Sequence, residues 1–160
     1  MCPFDLGDGP AAEPAARAPS AVPPVLLVDD VPADAAASRA VLERGGYEVA
    51  AEVDGDVVLR LVRAALTRCV VSELHIGCAE GPCVVMVLKG DRRRLPRLRV
   101  LVYTRHRSAA DLDRALQTGS DAVLYKPATA SVLLREVRRL DALGGTNGGS
   151  EDGRAGGAAP

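Results

Sequence analysis

The sequence predicts an α/β domain, a doubly wound parallel sheet of five strands with helices on both faces, and three observations lead to this prediction. Residues 25–28 are four apolar residues in a row, which suits a strand that is buried on both faces. Five short apolar segments alternate with five segments of helical periodicity, as they do in βαβ units. Polar residues follow several of the predicted strands, where a parallel sheet opens onto its ligand crevice.

The five predicted strands are short apolar segments bounded by turn-forming or charged residues. Pro23 and Pro24 prevent a helix from running into the first strand. Asp54 and Gly55 predict a turn after the second strand. The predicted strands cover residues 25–28, 47–53, 69–74, 99–103 and 122–125.

The five predicted helices have apolar residues at three- and four-residue spacing and recognisable ends. Pro32 lies near the start of the first helix, and Gly45 and Gly46 end it. Ser108 is the expected cap of the fourth helix, and Gly119 is its expected stop. The predicted helices cover residues 33–44, 56–68, 82–91, 108–118 and 129–143.

The composition limits the classes of function. A chain of 160 residues, 48% of them hydrophobic, suits one domain, and with three Tyr, one Phe and no Trp its core must be aliphatic. The net charge of −1 argues against a general polyanion-binding surface, so no nucleic-acid partner is expected. There is no apolar run of membrane-spanning length and no secretory signal, so we expect a cytoplasmic protein with no membrane partner.

The two ends of the chain differ in composition from its middle. Residues 1–24 are rich in Ala, Pro and Gly and predict a disordered leader, although an over-long start assignment would look the same. Residues 144–160 predict a flexible Gly-rich tail. The ordered domain is therefore expected over residues 25–143. No DNA-binding domain is expected after Leu143, which argues against direct control of transcription.

The cysteines and histidines give no obvious metal motif. His75 and His106 are the only histidines, so a zinc site is not expected. Small buried hydrophobes in a reducing cytoplasm are the expected role of the four cysteines, none of which forms a Cys-x-x-Cys pair: Cys2, Cys69, Cys78 and Cys83.

Five polar residues are expected at the carboxyl edge of the sheet. Asp29 and Asp30 follow the first strand, Glu73 ends the third, Thr104 ends the fourth and Lys126 follows the fifth. An Asp pair before a helix fits a helix cap when taken alone. Its convergence with the other three residues instead favours a cation site, because Mg²⁺ prefers carboxylate oxygens and water.

This arrangement resembles the receiver domain of bacterial response regulators, the CheY-like family, over residues 25–143. Three motifs carry the resemblance: Val25-Leu26-Leu27-Val28-Asp29-Asp30, Val102-Tyr103-Thr104 and Tyr125-Lys126-Pro127, with Asp121-Ala122-Val123-Leu124 leading into the last. The resemblance implies a flavodoxin-like sheet in the strand order 2-1-3-4-5. It also implies a cis peptide bond before Pro127.

The family's chemistry implies a role for each residue of this edge. A sensor kinase's phosphohistidine donates a phosphoryl group to an Asp that ends the third strand, at the position of Glu73. Asp29 and Asp30, together with that residue, are the implied ligands of Mg²⁺, which neutralises the developing charge. Lys126 is expected to contact a phosphoryl oxygen, and Thr104 to carry the change to the fourth helix and fifth strand.

Glu73 is the main departure from the family pattern, in which this position is Asp. The longer side chain moves the carboxylate by at most about 1.5 Å, one carbon–carbon bond. In phosphoryl transfer an error near 1 Å can lower the rate about a hundredfold. We therefore expect poor phosphorylation or none, and weak or absent Mg²⁺ binding. A conservative replacement that still accepts phosphate stays open, as does the choice between a partial mimic of phospho-Asp, bonded to Lys126 and Thr104, and a merely inactive site.

Two further positions depart from the family. Val123 occupies the place of a Tyr or Phe switch, and Tyr125, on the same face by strand alternation, partly replaces it. Arg105 follows Thr104 where a small residue is usual. Its guanidinium is expected either to pair with Glu73 or Asp30 and narrow access to the pocket, or to point into water.

Basic residues cluster between the third helix and the fourth strand. No aromatic residue is interleaved for base stacking, so a solvated loop is a better prediction than a nucleic-acid patch. The cluster surrounds Pro96 and comprises Lys89, Arg92, Arg93, Arg94, Arg97 and Arg99.

Two classes of function fit these residues. The first is a stand-alone signalling module that is not an enzyme and acts through protein contacts, with a sensor histidine kinase or a downstream output protein as partner and an open oligomeric state. The second is a phosphatase or phosphotransferase of the haloacid-dehalogenase type. That family needs a second Asp two residues after its nucleophile, where this chain has Val31 or Pro32.

Overall fold

Five strands and five α-helices alternate along the part of the chain that the computed structural model describes, residues 25–64, 67–77 and 83–145. A short 3₁₀ helix, Asp91–Arg93, follows the third α-helix. The strands and α-helices in chain order are β1 (Val25–Val28), α1 (Pro32–Arg44), β2 (Val49–Glu52), α2 (Gly55–Arg63), β3 (Cys69–Ser72), α3 (Val84–Gly90), β4 (Arg99–Thr104), α4 (Ala109–Gln117), β5 (Ala122–Tyr125) and α5 (Ala130–Gly145).

All five strands pair in parallel in one sheet, in the order β2-β1-β3-β4-β5. The predicted fold class and strand order are therefore confirmed. β1 lies inside the sheet, where Val25 is in register with Val49 of β2 and Cys69 of β3. Because β1 is covered by helices on both faces, all four of its residues are buried, as its unbroken apolar sequence predicts.

Two aliphatic layers enclose the sheet, as the scarcity of aromatic residues requires. Alternate strand residues face opposite layers, so Leu26 and Val28 pack with α2 and α3, and Val25 and Leu27 pack with α1 and α5. Tyr103 is the one aromatic residue among the buried core residues of the described chain. These layers fix the strand ends that carry the functional side chains.

Some helix ends differ from the predicted ones, and others agree with them. The expected turn at Asp54 is the N-cap of α2, since its carboxylate accepts hydrogen bonds from the backbone N–H of Asp56 at 2.8 Å and of Val57 at 3.3 Å. Ser108 caps α4 as predicted, by accepting from the backbone N–H of Asp111. Gly119 ends α4 with a φ of 69° that suits glycine, as its place in the sequence predicts.

α5 continues through Gly145, two residues beyond the predicted end of the domain. Gly144 is packed against the chain near Arg97, where an added Cβ would lie 2.8 Å from the Arg97 carbonyl oxygen. The predicted leader, residues 1–24, lies outside the described residues, as does the tail beyond residue 145. Among the helices that are described, none is long and apolar enough to cross a bilayer.

Asp121 organises the end of the sheet opposite the carboxyl edge. Its Oδ2 accepts hydrogen bonds from the backbone N–H of Val100 at 2.8 Å and from Lys89 Nζ at 3.1 Å, and its Oδ1 accepts one from Arg92. Burial raises the pKa of this carboxyl, but the hydrogen bonds from Val100 and Lys89 outweigh burial and hold the pKa below its usual value. The prediction of a solvated basic loop is therefore wrong for Lys89, whose side chain is only 9% exposed.

Asp121→Ala should lower the free energy of unfolding by about 3 kcal/mol near neutral pH, because it leaves the Lys89 ammonium nearly buried without its carboxylate. The depressed pKa gives stability that is present above the unfolded carboxyl pKa of about 3.9 and is lost as the pH falls through the lower folded value. Urea unfolding should therefore show that the free energy of unfolding of wild type falls at acid pH, and the variant should lack this fall.

A second change, Lys89→Met in the Asp121→Ala background, should restore most of the stability by removing the unpaired charge. Asp113→Ala, at an exposed acid of α4, is the matched control and should stay near wild type. Equal urea midpoints for wild type and Asp121→Ala would contradict the structural role of this ion pair.

Candidate functional site

Four polar side chains are buried together at the carboxyl edge of the sheet. Asp29 follows β1, Glu73 follows β3, Thr104 ends β4 and Lys126 follows β5. Their residues are 2%, 7%, 1% and 4% exposed, in that order. The sequence predicted that these residues converge, and the structure places them in one hydrogen-bonded group.

The Lys126 ammonium lies at the centre of this group. Lys126 Nζ is 2.6 Å from Asp29 Oδ2, 3.1 Å from Glu73 Oε2 and 3.3 Å from Asp34 Oδ2. Burial lowers the pKa of Lys126, but its hydrogen bonds to Asp29 and Glu73 outweigh burial and raise the pKa above its usual value. The ammonium is therefore charged. The peptide bond between Lys126 and Pro127 is cis, as predicted.

Glu73 uses both of its carboxylate oxygens. Oε1 accepts from the backbone N–H of Leu74 at 2.7 Å, and Oε2 accepts from Lys126. Burial raises the pKa of Glu73, but the nearby Thr104 hydroxyl and the hydrogen bonds from Leu74 and Lys126 outweigh burial and lower the pKa. The Glu73 carboxylate is thus ionised, and it accepts hydrogen bonds from Leu74 and Lys126.

Thr104 connects Glu73 to the loop that leads into α4. Its hydroxyl lies near the Glu73 carboxylate and lowers the pKa of that group. The same oxygen accepts a hydrogen bond from the backbone N–H of His106 at 3.1 Å. A rotation of the Thr104 side chain would therefore break contacts on both sides, one to the acceptor position and one to the loop.

The acidic pair after β1 is divided between the interior and the surface. Asp29 Oδ1 accepts from the backbone N–H of Val31 at 3.0 Å, while Asp30 is exposed. α1 has Val31 as its N-cap, with no side-chain cap bond, so neither Asp serves as the cap of this helix. Asp29, Asp30 and Glu73 offer carboxylate oxygens, the kind of ligand that a hard cation such as Mg²⁺ prefers. Lys126 competes with such a cation for Asp29 and Glu73.

Asp34 is a member of the site that the sequence analysis missed. It lies in the first turn of α1, one helical turn after Asp30, and contacts both Lys126 and Arg105. The hydrogen bond from Arg105 lowers the pKa of Asp34 against the smaller raising effect of burial. An acid one turn into the helix that follows an acidic pair was the available signal.

Arg105 does not pair with Glu73 or Asp30, so that prediction is wrong. Arg105 Nε donates to Asp34 Oδ2 at 2.7 Å, and the side chain is 58% exposed. The physical reason is that the first turn of α1 brings Asp34 to the sheet edge nearer to Arg105 than the buried Glu73. The Arg105–Asp34 pair lines a cavity of about 140 Å³ beside Lys126 and Pro127.

β5 carries both Val123, at the position of the family's aromatic switch, and Tyr125, which is expected to replace that switch in part. Val123 is half-buried and packs against the apolar layer formed with α2 and α3, so it presents no ring to solvent. Tyr125 is half-buried, and the Arg107 guanidinium lies 5.2 Å from its ring centroid. Arg107, which sequence reasoning missed, also donates to the Lys126 carbonyl at 2.8 Å. It thereby joins the loop after β4 to the end of β5.

Comparison with known sequences gives one family. Residues 25–138 match the model of the response regulator receiver domain. The transcriptional regulatory protein PrrA of Mycobacterium tuberculosis is 34% identical over 122 residues, which cover 74% of this chain and 49% of that protein. The transcriptional activator protein ExaE of Pseudomonas putida is 30% identical over 118 residues, 72% of this chain and 54% of that protein. The chain thus spans about half the length of these curated relatives.

Solved structures agree in fold. The signal receiver domain of a histidine kinase from Syntrophus aciditrophicus has a TM-score of 0.68 and 24% identity, covering 81% of this chain and 96% of that one. A CheY-like receiver domain from Methanospirillum hungatei has a TM-score of 0.64 and 21% identity, covering 76% and 96%. Receiver domains are signalling modules that typically bind Mg²⁺ at the acceptor site and interact with histidine kinases and output domains. Its family match, its strand order and its acidic, hydroxyl and lysine positions together identify this chain as a member of the response regulator receiver domain family.

Proposed function

We propose that this receiver domain transmits a signal through protein contacts in the cytoplasm without phosphorylation at its acceptor position. The observation that carries the proposal is the state of Glu73, whose carboxylate is bonded to Lys126 at 3.1 Å and lies near enough to the Thr104 hydroxyl for that hydroxyl to lower its pKa. In a receiver that accepts phosphate, the lysine and the hydroxyl are the groups that meet the phosphoryl oxygens. Here a carboxylate of the chain itself is bonded to the lysine and lies near the hydroxyl.

The engaged carboxylate also disfavours attack on a phosphoryl donor. An attacking oxygen must lie in line with the leaving group, and each Glu73 oxygen already accepts a hydrogen bond from Leu74 or Lys126. Turning one oxygen outward would break at least one charge-assisted or backbone hydrogen bond in a buried site. The extra methylene of Glu73 therefore brings its carboxylate to the lysine and leaves it poorly placed for phosphoryl transfer.

The same contacts support a partial mimic of the phosphorylated state. A charge-assisted hydrogen bond contributes roughly 1.5–3 kcal/mol, and two conformations of such a domain differ by only a few kcal/mol. The Thr104 hydroxyl lies near Glu73 and accepts a hydrogen bond from the backbone N–H of His106, so attraction between this hydroxyl and the carboxylate would draw the start of the loop after β4 inward. Because a carboxylate carries less charge than a phosphoryl group, the shift is partial.

α4 supplies a surface for the protein contact. It begins five residues after Thr104, and its two exposed large hydrophobic residues, Leu112 and Leu116, are spaced four apart and share one face. A partner that reads the position of the loop after β4 would contact this face. The partner is a sensor histidine kinase or a downstream output protein. This surface is not expected to bind nucleic acid.

A phosphatase or phosphotransferase is the less favoured class. Val31, two residues after Asp29, is partly exposed and apolar, so it offers no acid to protonate a leaving group. Pro32, two residues after Asp30, begins α1 and offers none either. Asp29 itself is buried and bonded to Lys126 and Val31, which leaves it poorly placed as a nucleophile.

Wild-type protein should form no phosphoryl adduct at Glu73 with acetyl phosphate and Mg²⁺, whereas Glu73→Asp should gain one. The shorter side chain moves the carboxylate back by about 1.5 Å and away from Lys126, with an expected rate increase on the order of a hundredfold. Intact-mass spectrometry measures the adduct, and release of inorganic phosphate above the buffer rate detects an adduct that turns over quickly.

Glu73→Gln is the matched control for this labelling experiment, since it keeps the length of the side chain and lacks a nucleophilic carboxylate. It should show neither an adduct nor extra phosphate release. Labelling of wild type at Glu73 would instead support the conservative replacement, and the proposal of phosphorylation independence would fail.

Glu73→Gln should also loosen the loop after β4, because it replaces a charged acceptor of Thr104 and Lys126 with a neutral amide. Amide exchange over residues 104–118 should become about tenfold faster for a loss near 1.4 kcal/mol. Thr104→Ala should have the same effect, and Thr104→Ser, which keeps the hydroxyl, should stay near wild type. Equal exchange in all four proteins would mean that Glu73 only inactivates the site.

Mg²⁺ should bind wild type weakly, because Lys126 already neutralises Asp29 and Glu73. Lys126→Met leaves these buried carboxylates without a cation, so millimolar Mg²⁺ should raise the melting temperature of Lys126→Met more than that of wild type. In the Lys126→Met background, Asp30→Asn should reduce this rise in melting temperature, since Asp30 is the exposed residue among the three proposed Mg²⁺ ligands. An equal Mg²⁺ response in wild type and Lys126→Met would contradict the competition.

A further inference from the structure

Two histidines and an aspartate from three separate segments lie together beside the site. His75 follows β3, His106 follows β4, and Asp111 lies in the first turn of α4. One ligand atom from each lies within 4.8 Å of the other two. The imidazole rings meet edge to face with centroids 4.4 Å apart, and His75 Nε2 is 3.2 Å from Asp111 Oδ1.

We propose that His75, His106 and Asp111 bind a zinc ion, with water as the fourth ligand. Imidazole nitrogens and carboxylate oxygens are donors that zinc commonly takes. With ligand bonds near 2.0 Å, neighbouring ligand atoms of a tetrahedral site lie about 3.3 Å apart. His75 and Asp111 already have this separation, and His106, which is exposed, closes the remaining distance by rotation of its side chain.

Asp111 is held in place for such a role. Ser108 Oγ donates to Asp111 Oδ2 at 2.6 Å, which leaves Oδ1 directed to His75. This hydrogen bond from Ser108 lowers the pKa of Asp111, so its carboxylate is ionised near neutral pH. A hydroxyl that orients a ligating carboxylate from behind is the usual support of a metal site.

The cations nearest to His106 in the chain are engaged with other groups. Arg105 pairs with Asp34, and Arg107 donates to the Lys126 carbonyl. The carboxylate of Asp111 brings a negative charge to the cluster, which favours a cation.

A bound ion would link the loop after β3 directly to the loop after β4 and to α4. The competing explanation is an ordinary surface hydrogen bond between His75 and Asp111, with His106 in ring contact. The two explanations differ in whether His106 ligates. Neither depends on the role of Glu73, so failure of the zinc site would leave the proposed function untouched, and the reverse also holds.

Zinc titration of the full chain, followed by NMR of the imidazole signals in excess Mg²⁺, tests the site. The chain has two histidines, so the spectrum of His106→Gln assigns both signals. The first equivalent of Zn²⁺ should shift both signals in wild type. The dissociation constant, measured by calorimetry, should rise at least about tenfold in His106→Gln and His106→Ala, since loss of a supporting group alone has an effect of that size.

Asp113→Asn, at an exposed acid of the same helix, is the control and should keep the wild-type dissociation constant. Because these positions are at the surface, melting without zinc should be alike in all variants. Binding of zinc by the cysteines would leave the imidazole signals unmoved. That result, or equal dissociation constants for wild type and the His106 variants, would overturn the zinc site.

Discussion

The buried ammonium of Lys126 is the interaction on which the rest of the site depends. It bonds Asp29 after β1 and Glu73 after β3, and it also lies 3.3 Å from Asp34 of α1. A charge in the interior is strongly unfavourable unless it is paired and hydrogen-bonded, and an ammonium has three donors with which to satisfy acids. Lys126 therefore holds the carboxyl ends of β1, β3 and β5 together. Because the three acids share one ammonium, a change in the side chain of any one of them changes how far the ammonium neutralises the other two.

Glu73 enters this arrangement as an acid with one methylene more than an Asp would have. Its carboxylate reaches the lysine and its own following backbone N–H together, and it lies near the Thr104 hydroxyl. A carboxylate engaged in this way is a poor nucleophile and a good fixed anion. The length of Glu73 would therefore account for both halves of the proposed function, the loss of phosphoryl acceptance and the partial resemblance to a phosphorylated side chain.

The sequence predicts the strands and the residues that end them because both depend on local properties. A buried parallel strand needs consecutive apolar residues, and the residues directly after it must lie at the crevice, so Asp29, Glu73, Thr104 and Lys126 were found together. The sequence does not predict the contacts of side chains that lie on helices. Asp34 reaches Lys126 and Arg105 only because of how α1 is rotated about its own axis relative to β1. The periodicity of residues within either segment does not determine that rotation. For the same reason neither expected alternative for Arg105, a pair with Glu73 or Asp30 or a free side chain in water, included its partner Asp34.

The two histidines show how far the register of the sheet extends beyond its strands. β3 and β4 pair in parallel, with Ser72 opposite Val102. Glu73 and Thr104 therefore meet with an offset of one residue, and His75 and His106, each two residues further on, keep that offset. His75 lies in a turn after β3, and His106 lies in the loop after β4. The two histidines thus occupy matching positions in the segments that follow neighbouring strands, and their ring centroids are 4.4 Å apart.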